Sequence, residues 1–446
     1  MALTASNPAA ANLASGGHCE THADPPADRS GAVPPDEFDP EAVLALAVAL
    51  VRLRTVNEPG ARDVETPAAD LVARTMRGFG WRVHVTEVAP GRPNVIGIVH
   101  GRAADPAGSA RATDATDSAG PTLMFEGHLD VVTEGDPAGW SFDPYAGDIV
   151  DGRLRGRGSA DMKGGVAAMI HAARAVQLGG FTGRLVIGVL ADEEGMMLGA
   201  KHCAAQLKAG SLGVIDGVIV CEPEGGEVCP VAKGALRLQV DLIGVMAHGA
   251  MPQMGKNPLP VIGSLLLGLD EIHRAVAAQA GVHPLLGEFS LAPTVLSAGS
   301  LAQINVIPAV ATLALDVRTI PGVEHPMLVE LITRFVETLA AEADLGSRVT
   351  VIDDRPPVDT PLDAPVVRAM LAGHRLATGR PAVLGGVPGS TDGTILTRDA
   401  GLPTVVYGPG GKWIAHQADE YVDVEDIVIC TRAYIAAARS FFGDAA

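Results

Sequence analysis

The chain has 446 residues, enough for two or three domains and a large hydrophobic core. Hydrophobic residues make up 47% and charged residues 19%, which is typical of a globular protein and excludes a chain that is disordered throughout. Asp and Glu outnumber Lys and Arg by 52 to 33, a formal charge of −19, so we expect neither nucleic acid nor a membrane surface as a partner, because phosphate binding needs clustered basic residues.

The sequence changes character near Pro40. Residues 1–37 are rich in Ala, Pro, Ser, Gly and Asp without periodicity, which predicts a disordered tail. Beyond it, helical segments such as EAVLALAVALVRLRTV alternate with short apolar runs such as NVIGIVH, TLMFEGH and GRLVIGVLAD. This alternation predicts an α/β domain with a mixed, mostly parallel sheet flanked by helices. The low-complexity stretch at residues 101–120 predicts a surface loop.

A second unit interrupts this domain at residues 235–354. Its apolar patterns follow the order strand, helix, strand, strand, helix, strand. That βαββαβ order is typical of a small ferredoxin-like domain with its helices on one face of the sheet. Because α/β segments resume after it, we predict an insertion that divides the first domain into residues 38–234 and 355–446.

The cysteines and the apolar runs indicate the compartment. The chain has five scattered cysteines and no C-x-x-C pair: Cys19, Cys203, Cys221, Cys229 and Cys430. A disulfide framework or a cysteine zinc site is therefore not expected. No run approaches the ~18 apolar residues of a membrane span, and the amino terminus lacks the pattern of a signal peptide. We expect a cytoplasmic protein.

The candidate functional motifs lie where strands give way to loops, and ligands of open α/β sheets gather at the carboxyl ends of strands. In TLMFEGHLDVV the strand ends in His128, and Asp130 follows on the same side at i+2. A histidine metal ligand needs an acceptor for its second ring nitrogen, and Asp130 could supply one. An ordinary surface His–Asp pair is the alternative interpretation of this motif alone.

Further motifs supply carboxylates and a second histidine. Asp161 lies in the glycine-dense bend RGRGSADMKGG, and the strand GRLVIGVLAD is followed by Glu193 and Glu194. Adjacent carboxylates repel each other unless a cation lies between them or one is protonated. Glu222 closes the strand GVIVCEP, and His416 lies in a loop after the strand of VVYGPGGKWIAH. Each motif by itself is also compatible with a solvated side chain.

Together these residues indicate a dinuclear metal site. Two histidines and three acidic residues are the ligands that zinc, manganese or cobalt prefers. Two divalent cations ~3.5–4 Å apart need a bridging carboxylate, and five protein ligands suit two for each metal and one shared. One carboxylate of the Glu193–Glu194 pair is then left to act as a base.

With these motifs the chain resembles the M20 metallopeptidases, the family of acetylornithine deacetylase, succinyl-diaminopimelate desuccinylase, aminoacylase-1 and the glutamate carboxypeptidases. The resemblance covers the chain from about residue 40 to its end and rests on five ordered motifs and the inserted domain. It implies that His128 and Glu222 bind one metal and that Glu194 and His416 bind the other. Asp161 would bridge the two.

The resemblance also implies how the site works. Asp130 would orient His128, Glu193 would be the general base that activates a water, and the Asp161–Met162 peptide would be cis. The cofactors implied are two divalent ions, zinc first, with cobalt or manganese as alternatives. The reaction implied is hydrolysis of an amide bond in a small N-acyl amino acid or dipeptide-like substrate that carries a carboxylate.

By the same resemblance, the inserted unit is a lid and dimerisation domain of a homodimer. His248, in GVMAHGAMP, would reach the active site of the partner subunit and stabilise the oxyanion. Asn305, in QINVIPA, and Arg318, in LDVRTIPG, would bind the substrate carboxylate, for which the fork of an arginine is well suited.

Other functions stay open at this point. An aminohydrolase could cleave a different C–N bond, such as that of an aromatic amine, with the same metals. An aminopeptidase or dipeptidase of the same family would need a pocket for a free amine. A catalytically inactive binding homologue is the alternative from a different class. The loop GGVPGSTDGTIL resembles a broader deacylase branch more than the strict desuccinylase type.

Overall fold

The structure is a computed structural model that describes residues 38–58, 64–101 and 120–443. The predicted tail at residues 1–37 and nearly all of the predicted loop at 101–120 lie outside the described residues. Among the helices in the described ranges, none is both long and apolar enough to cross a membrane.

The described helices are α1 (Pro40–Val51), α2 (Thr66–Gly78), α3 (Gly164–Gly179), α4 (Leu198–Lys208), α5 (Leu259–Ala280), α6 (His325–Glu342), α7 (Pro365–Thr378), α8 (Asp392–Ala400) and α9 (Val424–Phe442). The described strands are β1 (Arg82–Ala89), β2 (Arg92–His100), β3 (Thr122–His128), β4 (Ile149–Val150), β5 (Arg153–Arg155), β6 (Arg184–Leu190), β7 (Gly217–Val220), β8 (Val228–Ala232), β9 (Gly234–Ile243), β10 (Ala247–His248), β11 (Val282–His283), β12 (Gly287–Glu288), β13 (Ser290–Ala298), β14 (Val306–Ile307), β15 (Val310–Thr319), β16 (Gly346–Arg355), β17 (Val358–Asp359), β18 (Leu384–Val387), β19 (Thr404–Val406) and β20 (Tyr421–Asp423).

The central sheet is built around four parallel strands in the order β6-β3-β7-β19. These strands are mostly apolar and are buried along their whole length, as strands are when helices cover both faces of a sheet. Antiparallel pairing adds β2 and β1 beyond β6, and β8 and β17 beyond β19. The structure confirms the predicted α/β class with a mixed sheet whose centre is parallel.

Two apolar cores cover the faces of this sheet. Successive residues of β3 point to opposite faces, so Leu123 and Phe125 join one core and Met124 joins the other. The first core contains residues of α1, α2, α3, α7 and α9, and the second contains residues of α4 and α8. The strands are thus held between helices, which fixes the edge at which they end.

The inserted unit has its own four-stranded antiparallel sheet, in the order β13-β15-β9-β16. Alternate residues of β15 are buried, and they pack with α5 and α6 in a separate core. The chain order β9, α5, β13, β15, α6, β16 is the predicted βαββαβ order. The exact domain boundaries stay predictions.

The packing of this inserted core can be tested on one helix. Leu269 of α5 is fully buried, whereas Leu267 on the same helix is 70% exposed. We expect Leu269→Ala to lower the free energy of unfolding by about 2–5 kcal/mol, because truncation removes buried apolar area and leaves a cavity. The matched control Leu267→Ala should change it by less than about 0.5 kcal/mol. Urea denaturation followed by circular dichroism measures both, and equal losses would contradict the packing.

Candidate active site

Most of the predicted site residues lie at the carboxyl ends of the parallel strands. His128 is the last residue of β3, Glu193 and Glu194 follow β6, and Glu222 follows β7. The loop after β19 leads to His416. Because these four strands are neighbours and run in one direction, the side chains that follow them meet at one edge of the sheet.

Asp161 comes instead from a tight bend just before α3. Gly158 in that bend has a φ of 81°, in the left-handed region that favours glycine, and a side chain there would collide with its neighbours. Glu420 accepts hydrogen bonds from the backbone N–H groups of Ala160 at 3.0 Å and Asp161 at 3.2 Å. The Asp161–Met162 peptide is cis, as the resemblance implied.

The Asp161 carboxylate lies between two histidines. Its Oδ1 is 3.2 Å from Nε2 of His128, and its Oδ2 is 3.2 Å from Nε2 of His416. Glu222 Oε1 lies 3.2 Å from His128 Nε2, and Glu194 Oε1 lies 3.0 Å from His416 Nε2. The arrangement is two His–Glu pairs with one aspartate between them.

The other ring nitrogen of His128 faces Asp130. Nδ1 lies 2.8 Å from the backbone carbonyl oxygen of Asp130, so we assign the proton to Nδ1, which leaves the lone pair on Nε2. The Asp130 carboxylate is farther from Nδ1, at 3.6 Å. That carboxylate accepts the backbone N–H groups of Glu193 and Glu194 instead, at 3.1 Å each. Asp130 therefore contacts His128 through its main chain and the Glu193–Glu194 turn through its side chain.

Burial and repulsion between carboxylates dominate the electrostatics of the site. The side chains of Asp161, Glu193, Glu194 and Glu222 are at most 13% exposed. Burial, and then the charge of Asp161, raise the pKa of Glu222 to about 8, and burial raises the pKa of Glu193 well above its usual range. Hydrogen bonds to Asp161 and Glu194 raise the pKa of His416 to about 10. Protons thus compete with cations for this site.

The donor set fits two divalent cations. Nε2 of His128 is buried and has no hydrogen-bond partner of good geometry in the described part of the chain, although oxygens of Asp161 and Glu222 lie 3.2 Å away. Ligand atoms of His128, Asp161 and Glu194 lie within 4.8 Å of one another, as do those of His128, Glu193 and Glu222. Imidazole nitrogen and carboxylate oxygen are donors that zinc, cobalt and manganese accept.

A further cluster, of two glutamates and a cysteine, holds a lysine. Ligand atoms of Glu224, Glu227 and Cys229 lie within 4.8 Å of one another. Nζ of Lys412 lies 2.8 Å from Glu224 and 2.6 Å from Glu227, and it donates to the carbonyl oxygen of Gly386 at 3.0 Å. These contacts use the three donors of the ammonium group. The cluster is therefore an ion-pair network rather than a third metal site.

The sequence motifs assign no role in the site to several residues that the structure places there. The cleft has a volume of about 200 Å³, and its polar lining comprises Asp161, Glu193, Glu194, Glu222 and His416 together with Glu224, Ser390, Thr391 and Lys412. Glu420, which holds the Asp161 bend, is fully buried and pairs with Arg157. The only local signal for Glu420 is its place in HQADEYV, four residues after His416.

The three predicted substrate residues lie on the inserted domain. His248 of β10 is exposed, and the backbone N–H of Gly249 donates to the carbonyl oxygen of Asn305 at 2.7 Å, which places His248 and Asn305 close together. Arg318 of β15 donates to Asp316 through Nε at 2.6 Å, so part of its fork is already engaged. The described lining of the cleft includes none of the three, and their roles stay predictions.

Metal binding at this site should depend strongly on pH. Glu222, with a pKa of about 8, and His416, with a pKa of about 10, are protonated at pH 6 in the cation-free protein and must lose their protons to bind a cation. We expect the apparent affinity for Zn²⁺ to rise about 1,000- to 10,000-fold between pH 6 and pH 8, because each ligand that must lose a proton contributes up to about tenfold per pH unit. Calorimetry in buffers of different ionisation enthalpy measures the protons released. Glu222→Gln should show a shallower dependence, and an affinity independent of pH would contradict the assignment.

Comparison with known proteins agrees with the fold. Residues 124–440 match the model of peptidase family M20/M25/M40. The succinyl-diaminopimelate desuccinylase of Rhodospirillum centenum is 30% identical over 412 residues, which are 90% of this chain and 98% of that one. The M20 family metallo-carboxypeptidase Sso-CP2 of Sulfolobus solfataricus has the same fold, with a TM-score of 0.71 at 16% identity over 90% of this chain and 99% of that one.

A second solved structure adds a metal-binding relative. The YXEP protein of Bacillus subtilis, described as a dinuclear metal-binding peptidase of the M20 family, has a TM-score of 0.62 at 17% identity, over 89% of this chain and 98% of that one. At this identity the likeness shows the fold. The family match and the curated relative establish the conclusion: the chain belongs to peptidase family M20/M25/M40 and is a hydrolase that acts on amide bonds.

Proposed function

We propose that the protein hydrolyses the amide bond of a small N-acyl amino acid or dipeptide-like substrate that carries a carboxylate. One observation carries the proposal. The Glu193 carboxyl is buried beside the five candidate ligands, 4.0 Å from Nε2 of His128, and accepts no hydrogen bond from the described residues. A carboxyl group in that position is suited to move a proton at the reacting centre.

The candidate ligands would hold two divalent ions. His128 and Glu222 would bind one ion, Glu194 and His416 the other, and Asp161 would contribute one oxygen to each. Zn²⁺ is the proposed ion, with Co²⁺ or Mn²⁺ as alternatives, because nitrogen and carboxylate donors suit all three. When bound, the ions supply the Lewis acidity that polarises a carbonyl and makes a water more acidic.

Glu193 is the proposed general base and then the general acid. Its carboxylate would accept a proton from the attacking water and pass it to the leaving nitrogen. Burial raises the pKa of Glu193, which favours its holding the proton between the two transfers. The hydrogen bonds from the backbone of Glu193 and Glu194 to Asp130 limit the movement of this turn.

The inserted domain is proposed to supply substrate contacts within a homodimer. Arg318 and Asn305 would orient the substrate carboxylate, and His248 of one subunit would stabilise the oxyanion in its partner. Apolar side chains around His248 support a covered surface, since Met246 is 63%, Leu301 94% and Ile304 85% exposed in the single chain.

The curated relatives guide the choice of acyl group. Those that match over most of their length are named succinyl-diaminopimelate desuccinylases. We therefore place N-succinyl diamino acids first in the substrate series, followed by N-acetyl amino acids, dipeptides and amines on an aromatic ring. Cleavage of the aromatic amine alone would favour the aminohydrolase alternative, and cleavage of none would favour an inactive binding homologue.

Removing the base should separate turnover from metal binding. We expect Glu193→Gln to lower kcat at least about 1,000-fold on the best substrate of this series, because the amide cannot accept the proton. Its content of two ions per chain, measured by elemental analysis, should equal that of the unchanged protein. Glu330→Gln, at an exposed surface pair with Arg334, is the control and should keep full activity. Near-normal turnover by Glu193→Gln would overturn the assignment.

Mixing two inactive variants tests the contribution of His248. In a dimer of His248→Ala with Glu193→Gln, one active site would hold an intact base and an intact partner histidine. After subunit exchange in equal amounts, we expect about a quarter of the activity of the unchanged protein, as random pairing in a twofold dimer requires. Mass spectrometry checks the exchange. Mixed dimers that stay inactive would contradict the contribution in trans.

A further inference from the structure

We propose that Asn57, held in orientation by Arg92, is a positioning residue for the general base. Its amide fixes the Asp130 carboxylate, and Asp130 in turn holds the backbone of Glu193 and Glu194. The inference rests on the proposed function, because it takes Glu193 as the base. Asn57 and Arg92 lie before the first of the candidate motifs, so the motifs predict no role in the site for either residue.

The Asp130 carboxylate accepts three hydrogen bonds. Two come from the backbone N–H groups of Glu193 and Glu194, at 3.1 Å each. The third comes from Nδ2 of Asn57, at 2.6 Å. Asp130 is fully buried, so no water replaces a lost donor without a rearrangement. The Asn57 amide is therefore the side-chain contact that determines where this carboxylate lies.

The orientation of the Asn57 amide is determined by its other contacts. Nδ2 donates a second hydrogen bond to Oδ1 of Asp192 at 3.0 Å, while Oδ1 of Asn57 accepts from Nη2 of Arg92 at 2.8 Å. A flipped amide would point its oxygen at two carboxylates and its N–H groups at a guanidinium. Donor and acceptor are thus assigned by their partners.

Asp192 ties the same network to the turn that carries the base. Asp192 has a φ of 68°, a backbone conformation that is rare except for glycine and, among L residues, for Asn and Asp. Its Oδ2 accepts the backbone N–H of Met196 at 3.0 Å, and its Oδ1 lies 3.0 Å from Nη1 of Arg92. The Asn57 amide therefore bridges Asp130 and Asp192, the two carboxylates that hold the turn, and the Arg92 guanidinium contacts both the amide and Asp192.

The charges explain why an amide is suited to position 57. Asp130 and Asp192 both face this side chain, and Arg92 also pairs with Glu65 at 3.0 Å. An amide supplies two N–H donors without adding charge, whereas a carboxylate of the same shape would add a third negative group. Asn57→Asp thus removes both donors while the size of the side chain and the acceptor for Arg92 are kept.

Two variants test the inference, each with two readouts. We expect Asn57→Asp and Asn57→Ala to lower kcat about 10- to 100-fold, the usual loss when a supporting residue behind a metal site is removed. KM should change less than about twofold, and two ions should still bind at saturating Zn²⁺. Hydrogen exchange by mass spectrometry should be at least about tenfold faster in the peptide covering residues 190–197, because the Glu193 and Glu194 amides lose a fixed acceptor.

A matched control separates positioning from general damage. Gln177 is a part-buried amide remote from the site, which accepts from Trp81 at 2.8 Å and from Arg174 at 2.7 Å. Gln177→Ala should lower Tm while kcat and the exchange at residues 190–197 stay unchanged. If Asn57→Ala does not fold, as judged by circular dichroism, the isosteric Asn57→Asp decides.

The outcomes distinguish this inference from the proposed function. Unchanged exchange at residues 190–197 in Asn57→Asp would overturn the inference even if the unchanged protein cleaves N-acyl amino acids. A loss of kcat that only follows a loss of bound metal would also overturn it. If the unchanged protein cleaves none of the substrates, the proposed function fails, and the exchange comparison still tests the contact between Asn57, Asp130 and the turn.

Discussion

Four carboxyl groups, each at most 13% exposed, lie within one small volume at the carboxyl edge of the central sheet: those of Asp161, Glu193, Glu194 and Glu222. Carboxylates this close repel each other, and burial removes the water that would screen them. Histidines that bind metal are neutral, so His128 and His416 as ligands offset none of that charge. Two divalent cations carry the charge that balances all four groups, and the arrangement of the site follows from this requirement.

The sheet and the loops place the ligands of the two cations in different ways. The parallel strands β3 and β7 bring His128 and Glu222 to one edge of the sheet, where β6 also ends. Asp161 and the Glu193–Glu194 turn do not lie on strands, so each needs its own support. Glu420 binds the backbone of the Asp161 bend, and Asp130 binds the backbone of the turn. In both cases a buried carboxylate holds main-chain N–H groups in place.

The sequence predicted the parts of the molecule that local patterns determine. The order of helices and strands followed from the change in hydrophobic periodicity between 3.6 and 2 residues. The metal-ligand candidates other than Asp161, which lies in a glycine-rich bend, were found because apolar strands lead to them. Asn57 and Glu420 were missed because their partners are distant, 73 residues away for Asp130 and 259 for Asp161. Nothing local marks such a residue.

The inserted domain shows the other limit of prediction from sequence. Arg318 was expected to bind a substrate carboxylate, yet part of its fork already pairs with Asp316 two residues away on the same strand. A sequence gives the residue type but not which of several acceptors it meets. Anomalous diffraction from crystals grown with Zn²⁺ tests directly whether Asp161 bridges two divalent ions. Two peaks ~3.5–4 Å apart with one Asp161 oxygen on each are expected, and a single peak, or two peaks without Asp161 between them, would contradict the bridge.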